Sequence, residues 1–227
     1  MSGARFVSTL FAGRYVEDFG LYIANSTLGV ITNNFFGAHT NVGAFLAGNS
    51  SSNRFARNSF WSNRNAGILV GASGVGNRFL TNAVNGRGLT ARGIQVSSAF
   101  PGNVFSNNTV IGCSTAIEIS GVQSNVFWGN RVYSNNVGIS FVSASAKRNR
   151  VIRNLVYRCG TGAWVTAGSN NQILNNVFYK NTGPGGVIAA AGGSNEFANN
   201  IFLSNGNVGV TNVGTGTRWS FNDVYGH

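Results

Sequence analysis

Residues 125–141 read NVFWGNRVYSNNVGISF, and this stretch decides the fold. It divides into three short runs. Asn125-Val-Phe127 and Asn130-Arg-Val132 each place an apolar residue two positions after an asparagine, and Gly138-Ile139-Ser140-Phe141 follows as a third alternating run. Alternation with a period of two is the strand period, not the helical one. The same order occurs at residues 53–70, NRFARNSFWSNRNAGILV. Aligned on Asn53, Asn77, Asn103, Asn125, Asn149, Asn171 and Asn195, successive copies are 24, 26, 22, 24, 22 and 24 residues apart. A repeat of this length is the signature of a solenoid, in which each copy is one unit stacked on the next.

Working outward, Gly29 opens an earlier coil containing Ile31, Asn34, Phe36 and Gly43, and Arg5 opens a degenerate one containing Val7, Ala12 and the run Gly20-Leu-Tyr-Ile23. The pattern predicts one domain over 1–227: a degenerate first coil at 5–28, regular coils at 29–217 and a partial last coil at 218–227. Stacking the coils about 4.8 Å apart aligns equivalent residues into columns. One inward column reads Ile31, Phe55, Phe79, Phe105, Phe127, Val151, Ile173, Phe197, and a second reads Phe36, Phe60, Val84, Val110, Val132, Val156, Phe178, Phe202. No coil can bury its apolar face alone, so stability must come from its neighbours. Asn34, Asn58, Asn82, Asn108, Asn130, Asn154, Asn176 and Asn200 recur without a break, with Asp223 as the expected next member. Asparagine tolerates the left-handed backbone conformation and can hydrogen-bond along a ladder of like residues. That column is therefore read as a structural asparagine ladder at a tight corner between two parallel sheets.

The N-x-V-x-x-N-x-V…G-I-x-V pattern resembles the β-helix repeats of the pectin lyase-like superfamily over roughly residues 5–225. The resemblance implies an all-β chain, a single right-handed parallel β-helix of about nine coils with three parallel sheets. It also implies an extracellular or cell-surface protein. It does not select an activity, because this scaffold carries lyases, hydrolases, epimerases, adhesins and viral tailspikes.

The chemistry is bounded by what the chain contains. Only 9% of residues are charged, yet the net charge is +11, which points to an anionic partner. Five carboxylates are available: Glu17, Asp18, Glu118, Glu196 and Asp223. Glycoside hydrolysis needs two within about 5–9.5 Å, and Glu118 and Glu196 lie four coils apart, about 19 Å along the axis. The acidic motifs of β-helical polygalacturonases and the calcium-binding aspartate cluster of pectate lyases are missing. No zinc or calcium spacing occurs, and His39 falls in a corner column that elsewhere holds Asn63, Asn135, Asn181 and Asn205. Cys113 and Cys159 share this column in alternate coils, about 9–10 Å apart, too far for a disulfide. Neither a metal nor another cofactor is expected.

One surface feature carries a functional expectation. An outward column reads Trp61, Asn85, Ile111, Tyr133, Tyr157, Tyr179, Leu203, and the next carries Ser134, Arg158 and Lys180, with Arg131 close by. Tyrosines flanked by cations can stack sugar rings and pair with their carboxylates. The bland alternative is that aromatic residues favour strands and cover a sheet face. A second basic stretch, Lys147, Arg148, Arg150 and Arg153, reads as a solvated edge. Connections are short and rich in Gly, Ser and Ala, unlike the long loops that wall a catalytic cleft. The sequence thus favours a non-catalytic structural or binding module for an acidic polysaccharide, with Arg131, Tyr133, Tyr157, Arg158, Tyr179 and Lys180 as ligand-binding residues. The alternative is a polysaccharide lyase or epimerase using Arg158, Lys180 and a nearby tyrosine. That reading rests on resemblance to superfamily members that remove an α-proton with a Lys and an Arg on neighbouring coils, although the calcium ligands accompanying that pair are missing here. A third reading is a self-assembling fibre subunit meeting its copies through the solenoid ends. Nucleic acid is disfavoured for want of a motif, and no segment is apolar enough to span a membrane.

Overall fold

The computed structural model describes residues 3–15, 17–71, 74–97, 101–188, 193–206, 208–212 and 214–227. The connections at 72–73, 98–100 and 189–192 lie outside the described residues. In the coil quoted above, the three runs are the strands Val126–Trp128, Arg131–Tyr133 and Val137–Phe141. Each pairs in parallel with its equivalents one coil away on either side: Phe105↔Phe127↔Val151, Val110↔Val132↔Val156 and Ile117↔Ile139↔Ala163. Repeated along the chain, this gives a right-handed parallel β-helix. Among the described residues the first sheet has ten strands, Arg5–Val7 to Arg218–Ser220, in coil order. Two long strands, Ala83–Ser97 and Thr109–Ser120, run on through the second corner and carry the second and third sheets together.

The inward columns are as the periodicity predicts. Phe55, Phe79, Phe105 and Phe127 stack ring on ring with centroids 4.9, 4.7 and 4.9 Å apart, and Phe36–Phe60 and Phe178–Phe202 do the same on the second sheet. The ring spacing matches the strand spacing because each phenylalanine projects from the same point of the pleat. The third sheet closes the core with Ile68, Ile94, Ile117 and Ile139, all at 0–1% exposure. Glycine opens most third-sheet strands for lack of room. A Cβ at Gly43 would lie 2.7 Å from both the Asn63 amide nitrogen and the Gly67 carbonyl.

All three corners share one device. A residue with positive φ turns the chain, and the following residue, most often asparagine, ties the turn to its neighbours. At the first-to-second-sheet corner the left-handed residues are Asn33, Arg57, Thr81, Asn107, Gly129, Arg153, Asn175 and Asn199. The ladder asparagines follow them and are not themselves left-handed, which corrects the reason inferred for the asparagine column. Their role is hydrogen bonding. The Asn130 backbone N–H and its Nδ2 both donate to Asn154 Oδ1, at 2.8 and 2.9 Å, while Nδ2 also donates to the Phe105 carbonyl at 3.0 Å. The ladder ends on Asn222, which accepts from Asn200 at 2.9 Å. Asp223 is instead an exposed strand residue opposite Ile201, so the expectation for it was one position out. The alignment column Asn53 to Asn195 is a second such ladder.

The third column, at the second-to-third-sheet corner, is mixed. His39, Asn63, Cys113, Asn135, Cys159, Asn181 and Asn205 occupy it, all buried. Where asparagine is present it accepts from the previous coil, as in Cys113 N–H to Asn135 Oδ1 at 2.9 Å. His39 imitates asparagine, its Nε2 lying 3.1 Å from the Phe11 carbonyl. Burial lowers its pKa, against the opposing pull of that carbonyl and of Glu17. Both cysteines are free, with Asn135 between them, as the coil spacing requires.

Candidate functional site

Strand alternation sends Val132, Val156 and Phe178 into the core, so the flanking Arg131, Tyr133, Tyr157 and Tyr179 face outward on the second sheet. Parallel register sets Tyr133 opposite Tyr157 and Tyr157 opposite Tyr179. The Tyr133 and Tyr157 rings stack at 5.0 Å and 15°. Arg131 lies across both, its guanidinium carbon 5.3 Å from the Tyr133 ring centre and 5.5 Å from that of Tyr157. Its Nε and Nη2 donate to the Tyr157 hydroxyl oxygen at 3.0 and 2.7 Å, and these bonds push the guanidinium above its ordinary pKa. With its oxygen occupied by Arg131, the Tyr157 hydroxyl has its own proton free for a ligand. Lys180 caps the next rung, its Nζ 4.9 Å from the Tyr179 ring centre.

Arg158 and Lys180 both sit at the left-handed corner position, exposed and one coil apart. A non-glycine residue there costs about 1–2 kcal/mol, but the corner recurs along the helix with serine, so the conformation belongs to the fold. The carboxylates lie elsewhere: Glu196 on the first sheet, Glu118 on the third, Glu17 and Asp18 in the first coil, Asp223 four rungs from Arg131. The tyrosine face is therefore cationic.

Two clusters were not anticipated from sequence. On the third sheet, half-buried Glu118 accepts from Arg92 Nε at 3.0 Å and from Gln95 Nε2 at 2.8 Å, and Arg92 Nη1 donates to Asn65 Oδ1 at 3.1 Å. The signal was the alignment of Glu118 with Gln95 one coil earlier. The second cluster is a depression of about 350 Å³ lined by Arg148, Arg150, Gln172, Glu196 and Arg218. Two members of the stretch read as a solvated edge, Arg148 and Arg150, thus share one concavity, while Arg153 turns the next corner.

A three-sheet coil tied by buried asparagine ladders, with an aromatic and cationic outer face, defines a right-handed parallel β-helix related to the pectin lyase-like proteins. The chain belongs to the families described as Right handed beta helix region, whose model matches residues 102–224, and Periplasmic copper-binding protein (NosD), whose model matches residues 20–158. Among solved structures it is similar to the Azotobacter vinelandii mannuronan C-5 epimerase AlgE4 A-module, at a TM-score of 0.72 and 15% identity, covering 87% of this chain and 60% of that one. It is also similar to the periplasmic alginate epimerase AlgG, at 0.65 and 15%, covering 99% and 50%. The Dettilon tailspike protein matches at 0.61 and 17%, covering 97% and 60%. The chain thus spans about half to three fifths of their lengths. No curated protein matches it.

The copper in one family description finds no matching donor set among the described residues. Copper favours thiolate, thioether and imidazole ligands gathered in one place. Both thiols are buried, and burial pushes that of Cys113 up to about 12. His39 and His227 each contact a backbone carbonyl. Among the described residues no group of three or more His, Cys, Asp or Glu is placed to hold a metal. No described helix is long and apolar enough to cross a membrane.

Proposed function

We propose that the second-sheet face of this β-helix takes an acidic polysaccharide and that the chain acts on it as a uronate epimerase or lyase. The observation that carries the reading is the in-register Tyr133–Tyr157–Tyr179 column with Arg131, Arg158 and Lys180 along it. Both reactions begin by removing the proton α to a uronate carboxylate. That step needs a cation to neutralise the carboxylate, a base, and a group to return or redirect the proton. Arginine suits the carboxylate through paired N–H donors, and Arg158 follows Tyr157 directly in the chain while Arg131 reaches the Tyr157 hydroxyl. In this reading Lys180, as the neutral amine, is the base and Tyr157 the proton donor. The likeness to two alginate-modifying epimerases supports uronate polymers as the first substrates to test, and it favours an enzyme over binding alone. Periplasmic proteins in both comparisons support a place of action outside the cytoplasm.

The second reading, binding without turnover, is favoured by the openness of the face. Incubation with mannuronan and polygalacturonate in heavy water separates the two. An epimerase exchanges the α-proton for deuterium and a lyase produces unsaturated ends, and Lys180→Ala should abolish either while binding persists. Binding with neither product would leave the module non-catalytic. Tyr157→Ala and Arg158→Ala should each weaken binding by roughly 1–3 kcal/mol without unfolding the chain, and unchanged affinity in both would reduce the column to sheet covering.

A further inference from the structure

The tyrosine column does not stop at Tyr133. Register carries it back through Ile111 and Asn85 to Trp61, which is 41% exposed on the same face. Around Trp61 the repeat is broken twice, and both irregularities converge there. The first coil uses seven positions from Ala12 to Phe19 where the next uses five from Gly37 to Val42, and the excess loop brings Arg14 and Tyr15. In the coil after Trp61, Asn85 and Thr90 align with Ile111 and Cys113, so its corner holds three residues more than the following one. That bulge swings Arg87 over Trp61, 5.8 Å from its ring centre, and Asn85 Oδ1 steadies it by accepting from the Arg87 N–H at 3.1 Å. Between them lies a hollow of about 220 Å³ whose lining includes Arg14, Tyr15, Phe35, Gly37, Trp61 and Arg87. Phe35 leans on Trp61 at 6.1 Å, and Arg64 covers Tyr15 at 5.1 Å. Asp18, in the same excess loop, accepts the Thr40 hydroxyl at 3.0 Å.

In a repeat protein, departures from the repeat mark positions that stacking alone does not require. Here they build an aromatic platform with arginines on two sides, the chemistry of the tyrosine column over again. We propose that Trp61 is a second sugar-binding station on the same track, taking a distal residue of one acidic polysaccharide chain, with Arg87 and Arg14 pairing its carboxylates. The proposal rests on the reading of the tyrosine face as a polysaccharide site. From Trp61 to Tyr157 is four rungs, through Asn85, Ile111 and Tyr133, or about 19 Å. An extended 1,4-linked uronan advances by roughly one residue per rung of ~4.8 Å, so a chain of about five residues spans both stations.

The consequence is a length threshold. Calorimetric titration with size-fractionated mannuronate and galacturonate oligomers should show affinity rising roughly tenfold once the oligomer spans both stations, one added aromatic contact. Trp61→Ala and Arg87→Ala should each remove that rise and leave the affinity for di- and trisaccharides unchanged, with circular dichroism verifying the fold. If short oligomers bind through Tyr157 but the rise is missing, or persists in both variants, the second station is refuted and the tyrosine site stands. If no oligomer of any length binds, both readings fall together.

Discussion

At most corners a left-handed residue is followed by an asparagine whose side chain ties three coils together, and the cost of losing it depends on burial. Asn130 is 1% exposed. Its Oδ1 accepts from the Asn108 N–H and Nδ2, both at 3.0 Å, and its Nδ2 serves Phe105 and Asn154. Asn130→Ala would strand several buried polar groups at about 1–3 kcal/mol each. We expect a loss of at least ~3 kcal/mol in urea unfolding, whereas replacing the neighbouring exposed Arg131 by alanine should cost far less. The thiols give a pH test. Cys113 keeps its proton in the fold up to about 12, because burial disfavours the thiolate, against an ordinary value of 9.0. Between these values the unfolded chain releases a proton that the folded chain retains, so stability should decline as pH rises from 9 towards 12. At neutral pH neither thiol should react with a thiol reagent until the protein is denatured, and then without prior reduction. Rapid labelling of the native protein would contradict the burial of both.

At the scale of the strand, the energetic unit is the rung. Phe127 is fully buried, with Phe105 stacked at 4.9 Å on one side and Val151 opposite on the other. Its replacement by alanine should cost roughly 3–5 kcal/mol by opening a cavity that rigid neighbouring rungs cannot close. A loss under about 1 kcal/mol would invert the inside and outside of the first sheet. The periodicity made this column legible from sequence because alternation fixes which face each residue takes. The corner geometry was less legible. Arg57, Thr81 and Gly129 occupy equivalent left-handed positions, and no shared residue type marks the turn. What recurs is the residue after the turn, Asn58, Asn82 and Asn130.

For the whole molecule, neighbour-to-neighbour stacking means that each coil is stabilised by those beside it, and the net charge of +11 is spread over the stack. Affinity for an anionic polysaccharide should therefore fall as salt screens that charge, which titration at rising ionic strength measures. Affinity independent of salt would mean that the cations along the tyrosine face do not touch the ligand.

The coil count, the inward columns, the separation of the cysteines and the outward tyrosine column were all present in the sequence, because a solenoid repeats one local rule and its contacts join residues 22–26 apart at matching phases. Even the candidate face could be placed, since Tyr133, Tyr157 and Tyr179 share a phase. What only the tertiary structure decided lies where side chains leave their phase or the chain leaves its repeat. The bidentate reach of Arg131 to Tyr157 depends on rotamers across a rung. The Arg92–Glu118 pair and the Arg148–Arg150–Arg218 depression join residues from different runs. The hollow at Trp61 arises from two insertions that read, in sequence, as irregular spacing. Periodicity fixes backbone position, but where an inserted loop folds back and which cation covers which ring depend on packing against coils distant in sequence.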